Sequence, residues 1–264
     1  MYKRQFPRRA SPSAAGRAYI GLGHNEPVGK VTRASLVRGT AAATDPGCDV
    51  PIASWNRPVA ADELLAAREV FGPARSDLVT GAAFTDTAIE ARSDLASFRI
   101  VHFATHGLVT APREGCPAQP ALLTSFGGPG SDGLLQFAEV FELDLDADLV
   151  ILSACDTASL AGLEATRAAG LESGGGQALD GLVRAFIGAG GRQVIASHWP
   201  APDEYDATKR LFEGFFRSPP GTSLGAALRD AEQRLMDDAA TSHPFYWSGF
   251  ALIGDGERPL FTGS

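Results

Sequence analysis

An alternation constrains this chain most: short apolar runs, each about as long as one buried strand, are separated by segments with helical periodicity. The runs cover 17–23, 77–80, 99–104, 148–154, 193–197 and 247–253. Between them, 61–71 places Leu64, Leu65, Ala67, Val70 and Phe71 on an approximate 3.6-residue repeat and is stopped by Gly72-Pro73. Thr85 resembles an N-cap for a helix over 86–91. A further helical face over 178–189 is formed by Leu179, Leu182, Val183, Phe186 and Ile187, and Gly190-Gly191 ends it. Helices over 203–216 and 223–236 follow, separated by Ser218-Pro219-Pro220-Gly221. Strands that read as near-continuous apolar runs are buried on both faces, so the pattern predicts an α/β three-layer sandwich with a mainly parallel central sheet flanked by helices. A chain of 264 residues can bury one such core. In sheets of this kind ligands meet the protein outside the carboxyl ends of the strands.

Two residues at those ends carry chemistry. His106-Gly107 follows the run 99–104, and Cys155 follows the run 148–154. If the runs are neighbouring parallel strands, a base and a nucleophile sit together. A thiol is a weak nucleophile until its proton is taken, and an imidazole titrating near neutrality can take it. Gly107 lets the chain turn beside the imidazole and leaves its amide open toward a developing oxyanion. Taken singly, Cys155 reads as a small buried hydrophobe and His106 as a strand-end imidazole bonded to backbone. Matched positions at two strand ends favour the reactive reading. His102 lies four residues before His106 and faces the same way under strand alternation, as a buried structural histidine or in a supporting role.

Composition narrows the remaining classes. With 23 Lys plus Arg against 31 Asp plus Glu the formal charge is -8, which opposes a broad nucleic-acid footprint without excluding a local basic groove. The 3 cysteines, Cys48, Cys116 and Cys155, match neither a disulfide framework nor a paired zinc motif and suit a reducing cytoplasm. Cys116 lies in a proline-rich stretch and reads as a surface thiol. No convincing fourth ligand joins His102, His106 and Cys155, so no metal is expected, and no cofactor. Gly21-Leu22-Gly23 and Gly174-Gly175-Gly176 lack the complete dinucleotide and P-loop patterns. No apolar stretch approaches the roughly 18 residues of a membrane span, and no signal-peptide core follows the basic start. Residues 1–16 read as a disordered leader or an artefact of gene calling. The stretches 111–133 and 159–176 read as long loops bordering the reactive residues, apart from a short apolar piece at 121–123.

Several segments resemble, in order, the successive motifs of CHAT domains, which belong with caspases, separases and gingipains. They are Val101-His102-Phe103-Ala104-Thr105-His106-Gly107, Asp132-Gly133-Leu134-Leu135, the stretch from Leu149 through Cys155-Asp156-Thr157-Ala158, Gly190-Gly191 through Ser197-His198-Trp199-Pro200, and His243-Pro244 through Phe250-Ala251-Leu252-Ile253-Gly254. The likeness runs from about Tyr19 to Gly254. It implies a caspase-like domain over 17–257, with 258–264 as a tail. It also implies a cytoplasmic cysteine endopeptidase in a bacterial signalling setting. In that reading Cys155 attacks a peptide carbonyl, His106 acts as general base and acid, the backbone amides near Gly107 and Cys155 hold the oxyanion, and water releases the acyl-enzyme. Caspase-type signatures place the histidine about 50 residues before the cysteine; here the separation is 49.

The implied substrate is a protein or peptide. Asp203, after Trp199-Pro200-Ala201-Pro202, reads either as a contact for a basic P1 side chain or as the cap of the following helix. Asp156 is a second pocket candidate, although a carboxylate there disfavours a nearby thiolate. His198 departs from the apolar residue usual before the tryptophan. The family also places this domain after tetratricopeptide-like repeats or beside signalling modules, which makes a regulatory protein or an N-terminal repeat region an expected partner. The alternative is a catalytically inactive or conditionally closed caspase-like module for protein interaction and signalling.

Overall fold

The computed structural model describes residues 11–28, 52–109, 120–155, 176–199 and 201–259. The apolar runs become strands β1 (Arg17–Asn25), β2 (Ser76–Gly81), β3 (Phe98–Val109), β6 (Leu149–Cys155), β7 (Val194–Ser197) and β8 (Phe250–Ile253), in the order β2-β1-β3-β6-β7-β8. Pairing is parallel throughout except at β8, which closes the edge antiparallel to β7. A hairpin of β4 (Pro120–Leu123) and β5 (Leu134–Gln136) extends from β3, with β4 antiparallel to residues Gly107 through Val109. The sheet is therefore mixed, mostly parallel and covered by helices, as the alternation predicts.

Strand alternation divides the core into two faces. Leu22, Val101, Phe103, Val150, Leu152 and Val194 point to one side, under α2 (Asp86–Glu90), α3 (Phe137–Glu142) and α4 (Gly176–Ala189). Tyr19, Ile100, Ala104, Ile151 and Ile195 point to the other, under α1 (Asp62–Phe71), α5 (Ala207–Phe216) and α6 (Leu224–Met236). The helix starts follow local chemistry. Thr85 accepts the Ala88 amide at 3.1 Å, as its N-cap reading requires, and the Gln136 amide donates to Glu139 at 2.7 Å in a capping box that opens α3. At the amino ends of the strands, Arg99 pairs with Asp148 and Arg192 with Asp146, both at 2.7 Å, and the Ser13 and Ala14 amides donate to Asp148 and Asp146 at 2.8 Å.

Some expectations need correction. The run 99–104 does not stop before His106; β3 continues through His106-Gly107 to Val109 because β4 supplies it with an antiparallel partner. Leu65 is exposed, since the helical stripe that packs on the sheet is carried by Leu64 and Ala67. The 203–216 segment is a short 3-10 turn followed by α5, broken where Tyr205 and Asp206 take φ of 57° and 53°. Within 111–133, β4 is a strand, with β5 beginning directly after the stretch at Leu134, while 110–119 and most of 159–176, including Gly174 and Gly175, lie outside the described residues.

The glycines of the Gly21-Leu22-Gly23 segment have a packing role. A Cβ on Gly23 would collide with the Ala104 carbonyl oxygen of β3, a backbone atom that cannot step aside. Gly23→Ala is expected to destabilise the fold by about 1–3 kcal/mol, read as a lowered urea midpoint. An unchanged midpoint would show that the β1–β3 spacing is not set there.

Candidate functional site

β3 and β6 run side by side and in parallel, so their carboxyl ends meet as the sequence requires. Their register changes there: Ala104 pairs with Ser153, whereas Gly107 pairs with Cys155. Three steps along β3 match two along β6, so β3 carries one extra residue, a bulge of the kind that re-aims side chains at sheet ends. The equal facing of His102 and His106 inferred from alternation therefore does not follow from strand parity.

The two histidines lie in different surroundings. His106 is half-buried, and its Nε2 meets the carbonyl oxygen of Arg57, in the segment that leads to α1. A carbonyl oxygen only accepts, so Nε2 carries the proton in this contact and is not a base on that side. Cys155 is placed by its backbone, as the last residue of β6 beside Gly107. Among the described residues no group of three or more His, Cys, Asp or Glu side chains converges, and no Cys–His dyad is assembled. The expectation of an active cysteine endopeptidase working through a Cys–His dyad is corrected accordingly. Asp156 lies outside the described residues.

Asp203 does line a pocket, together with Asp62 and Glu63 of α1, Ser153 of β6, and Asp206, Thr208 and Lys209 around the start of α5. It is exposed and makes no side-chain capping bond to the turn that follows, so the cap alternative is not realised. Partial burial raises its pKa, the charges of Glu204 and Asp62 add to this, and His106 opposes it. His198 is exposed, with its amide donating to the Gly249 carbonyl at 2.7 Å. Trp199 and Trp247 donate their indole N–H groups to the carbonyls of Phe245 and Ser242, each at 3.1 Å, and so tie the segment before β8 to the end of β7.

Behind the pocket lies a buried polar chain that sequence reasoning missed. His102 is fully buried on the α1 and α5 side, with its ring 4.9 Å from that of Phe212. Tyr19 OH lies 3.0 Å from His102 Nδ1, and His102 Nε2 lies 3.8 Å from Glu63 Oε1. Gly21 makes the first contact possible: it pairs with His102 in register, and a Cβ there would come within 2.9 Å of Tyr19 OH. Burial pushes His102 down to about 3 and Glu63 up to about 8. For Glu63 the Ser153 hydroxyl opposes this by less, and Asp203 adds to it. Burial, and then the Glu63 charge, also hold the Tyr19 phenol well above its ordinary value. The signal for Glu63 was its spacing, since positions 63, 67 and 70 share the stripe that packs on the sheet, but an acid in a first helical turn reads equally as an exposed partner for the helix dipole.

A model of the CHAT domain family matches residues 7–255. The chain belongs to the CHAT domain family. Similar curated proteins are Tetratricopeptide repeat protein 28 of Homo sapiens and of Mus musculus, each 32% identical over 197 residues, which is 61% of this CHAT chain. The matched stretch is 7% of the length of each of these relatives, so the chain spans a small part of them. No helix among the described residues of this CHAT domain is long and apolar enough to cross a membrane.

Two outcomes are expected. In long-range nitrogen NMR, the neutral His106 ring carries its proton on Nε2; a proton on Nδ1 instead would contradict the Arg57 contact. The second concerns stability against pH. Glu63 binds its proton more tightly in the folded chain, so its contribution falls as pH rises from the ordinary 4.5 to about 8. His102 binds its proton less tightly, so its contribution grows from about pH 3 to 6.5. Compared with wild type, Glu63→Gln therefore loses a downward slope of up to about 1.4 kcal/mol per pH unit across the Glu63 window. Parallel stability curves for the two proteins would refute the assignment.

Proposed function

We propose that this CHAT domain works as a protein-interaction module in a signalling assembly, a caspase-like sandwich whose strand-end residues are held closed rather than turning over peptides. The observation that carries this reading is that no group of three or more His, Cys, Asp or Glu side chains converges among the described residues, while His106 Nε2 is tied to the Arg57 carbonyl ahead of α1. The relatives support the kind of partner: both bear the name of a tetratricopeptide repeat protein, and an array of such repeats, in the same or another chain, is the partner proposed here. Asp203, exposed at the pocket mouth, supplies a contact for a basic side chain of that partner.

The test pairs binding with turnover. Wild type, Cys155→Ala and His106→Ala are titrated calorimetrically against an isolated tetratricopeptide array and incubated with a peptide library and an electrophilic peptide probe. Binding within about threefold for all three proteins, without cleavage, is the expected result. Cleavage that Cys155→Ala abolishes, or failure of the wild-type chain to bind the array, would overturn the reading.

A further inference from the structure

On the side of the sheet covered by α2, α3 and α4, one short helix turns large apolar side chains outward. In α3, Val140 is buried in the core, while Phe137 and Phe141, one turn apart, are 39% and 37% exposed. Their rings stack with 6.4 Å between centroids and 17° between planes. Single exposed apolar side chains are ordinary, but two large rings paired on one stripe have the pattern of a contact surface. The pair is also held in place. A Cβ on Gly188 of α4 would strike the Phe141 ring, so that ring lies against bare helix backbone. The capping box at Gln136 fixes the start of α3. Beyond its end, the Leu145 amide donates to the Ala189 carbonyl at 2.9 Å and ties the segment after α3 to the end of α4.

The charge around the pair selects the partner. Glu142 and Asp144, which follow Phe141 in the chain, are exposed, and Glu139 is half-buried. Burial raises the Glu139 pKa to about 7; the Gln136 amide opposes this, and the charges of Glu90, Asp132 and Asp86 add to it. Against these carboxyl groups α4 sets Arg184, exposed and one turn before Gly188. The net negative field repels phosphate backbones and anionic headgroups and draws cations. The nearby edge strand, β5, is 3 residues long and gives an extended peptide little to pair with. A helix satisfies its own backbone, and side chains four apart on its face stand about 5–6 Å from one another, close to the separation of the two rings.

We propose that Phe137 and Phe141 are the docking surface for a basic amphipathic helix of a partner protein, whose apolar stripe covers the two rings while its lysines and arginines meet Glu142, Asp144 and Glu139. This rests on the interaction reading above and names the kind of segment the partner presents. Rings already fixed against α4 lose little freedom on binding, so burying them supplies the affinity. The carboxylates set the orientation of the incoming helix and reject acidic ones.

Fluorescence anisotropy with the full chain tests this. The probes are a labelled helical peptide of about 18 residues, with leucines at i, i+4 spacing flanked by lysines, and its counterpart with every lysine replaced by glutamate. The basic peptide is expected to bind at least about tenfold tighter than the acidic one, with an advantage that shrinks as salt rises. Phe137→Ala is expected to weaken the basic peptide at least about tenfold, and Glu142→Lys combined with Asp144→Lys at least about threefold. Met236→Ala, at an exposed apolar residue of α6 across the sheet, is expected to bind as wild type does. Equal binding of the two peptides by the wild-type protein overturns the proposal, and that comparison stands even if a variant does not fold. Unchanged binding by Phe137→Ala overturns it too. Self-association of the wild-type chain that Phe137→Ala abolishes would assign the surface to a second copy and reject the partner helix. The tetratricopeptide array separates this surface from the interaction reading. An array that binds while the peptide ignores Phe137 sinks the docking surface alone, whereas peptide binding through Phe137 without array binding sinks that reading alone.

Discussion

The pairing of β3 with β1 on one side and β6 on the other organises the rest of this molecule. All three strands are parallel and almost wholly buried, so their side chains serve two cores at once, and helices must cover both faces. The close approach needs a residue without a side chain at Gly23, opposite the Ala104 carbonyl. It also delivers His102, Ser153, His106 and the backbone of Cys155 to one end of the sheet, where α1 and the start of α5 close over them.

What that end of the sheet can do depends on how its polar groups are paired. His106 is engaged by a backbone carbonyl through one ring nitrogen, and a bulge interrupts β3 between Ala104 and Gly107. Beneath it, Tyr19, His102 and Glu63 are buried deeply enough that each is held in its neutral form near neutrality. Burial of three titratable groups is tolerated because none needs to carry charge, and a Tyr–His contact satisfies part of the chain. The end of the chain at Glu63 and Ser153 faces the acidic pocket.

The legible parts of the fold were those governed by local periodicity. The apolar runs, the Thr85 cap, the stop at Gly72 and the break after Ala189 are written in neighbouring residues, and the structure places strands and helices there. The β4–β5 hairpin was harder to see because its strands are short and stand in a proline- and glycine-rich stretch, where pairing with the end of β3 outweighs weak local preference. Asp203 was legible as a pocket residue only through its place after Trp199, and nothing local distinguished that role from a helix cap.

By itself the sequence determined that this chain folds as an α/β sheet sandwich of the CHAT family and that His106 and Cys155 stand near the ends of adjacent strands, because hydrophobic period and motif order are properties of the linear chain. The tertiary structure alone decided what those residues meet. One extra residue in β3, the arrival of the Arg57 carbonyl at His106, and the seating of Glu63 against His102 come from segments distant in sequence. The state of a titratable side chain is set by the groups and the dielectric around it, and those are assembled only when the chain is folded.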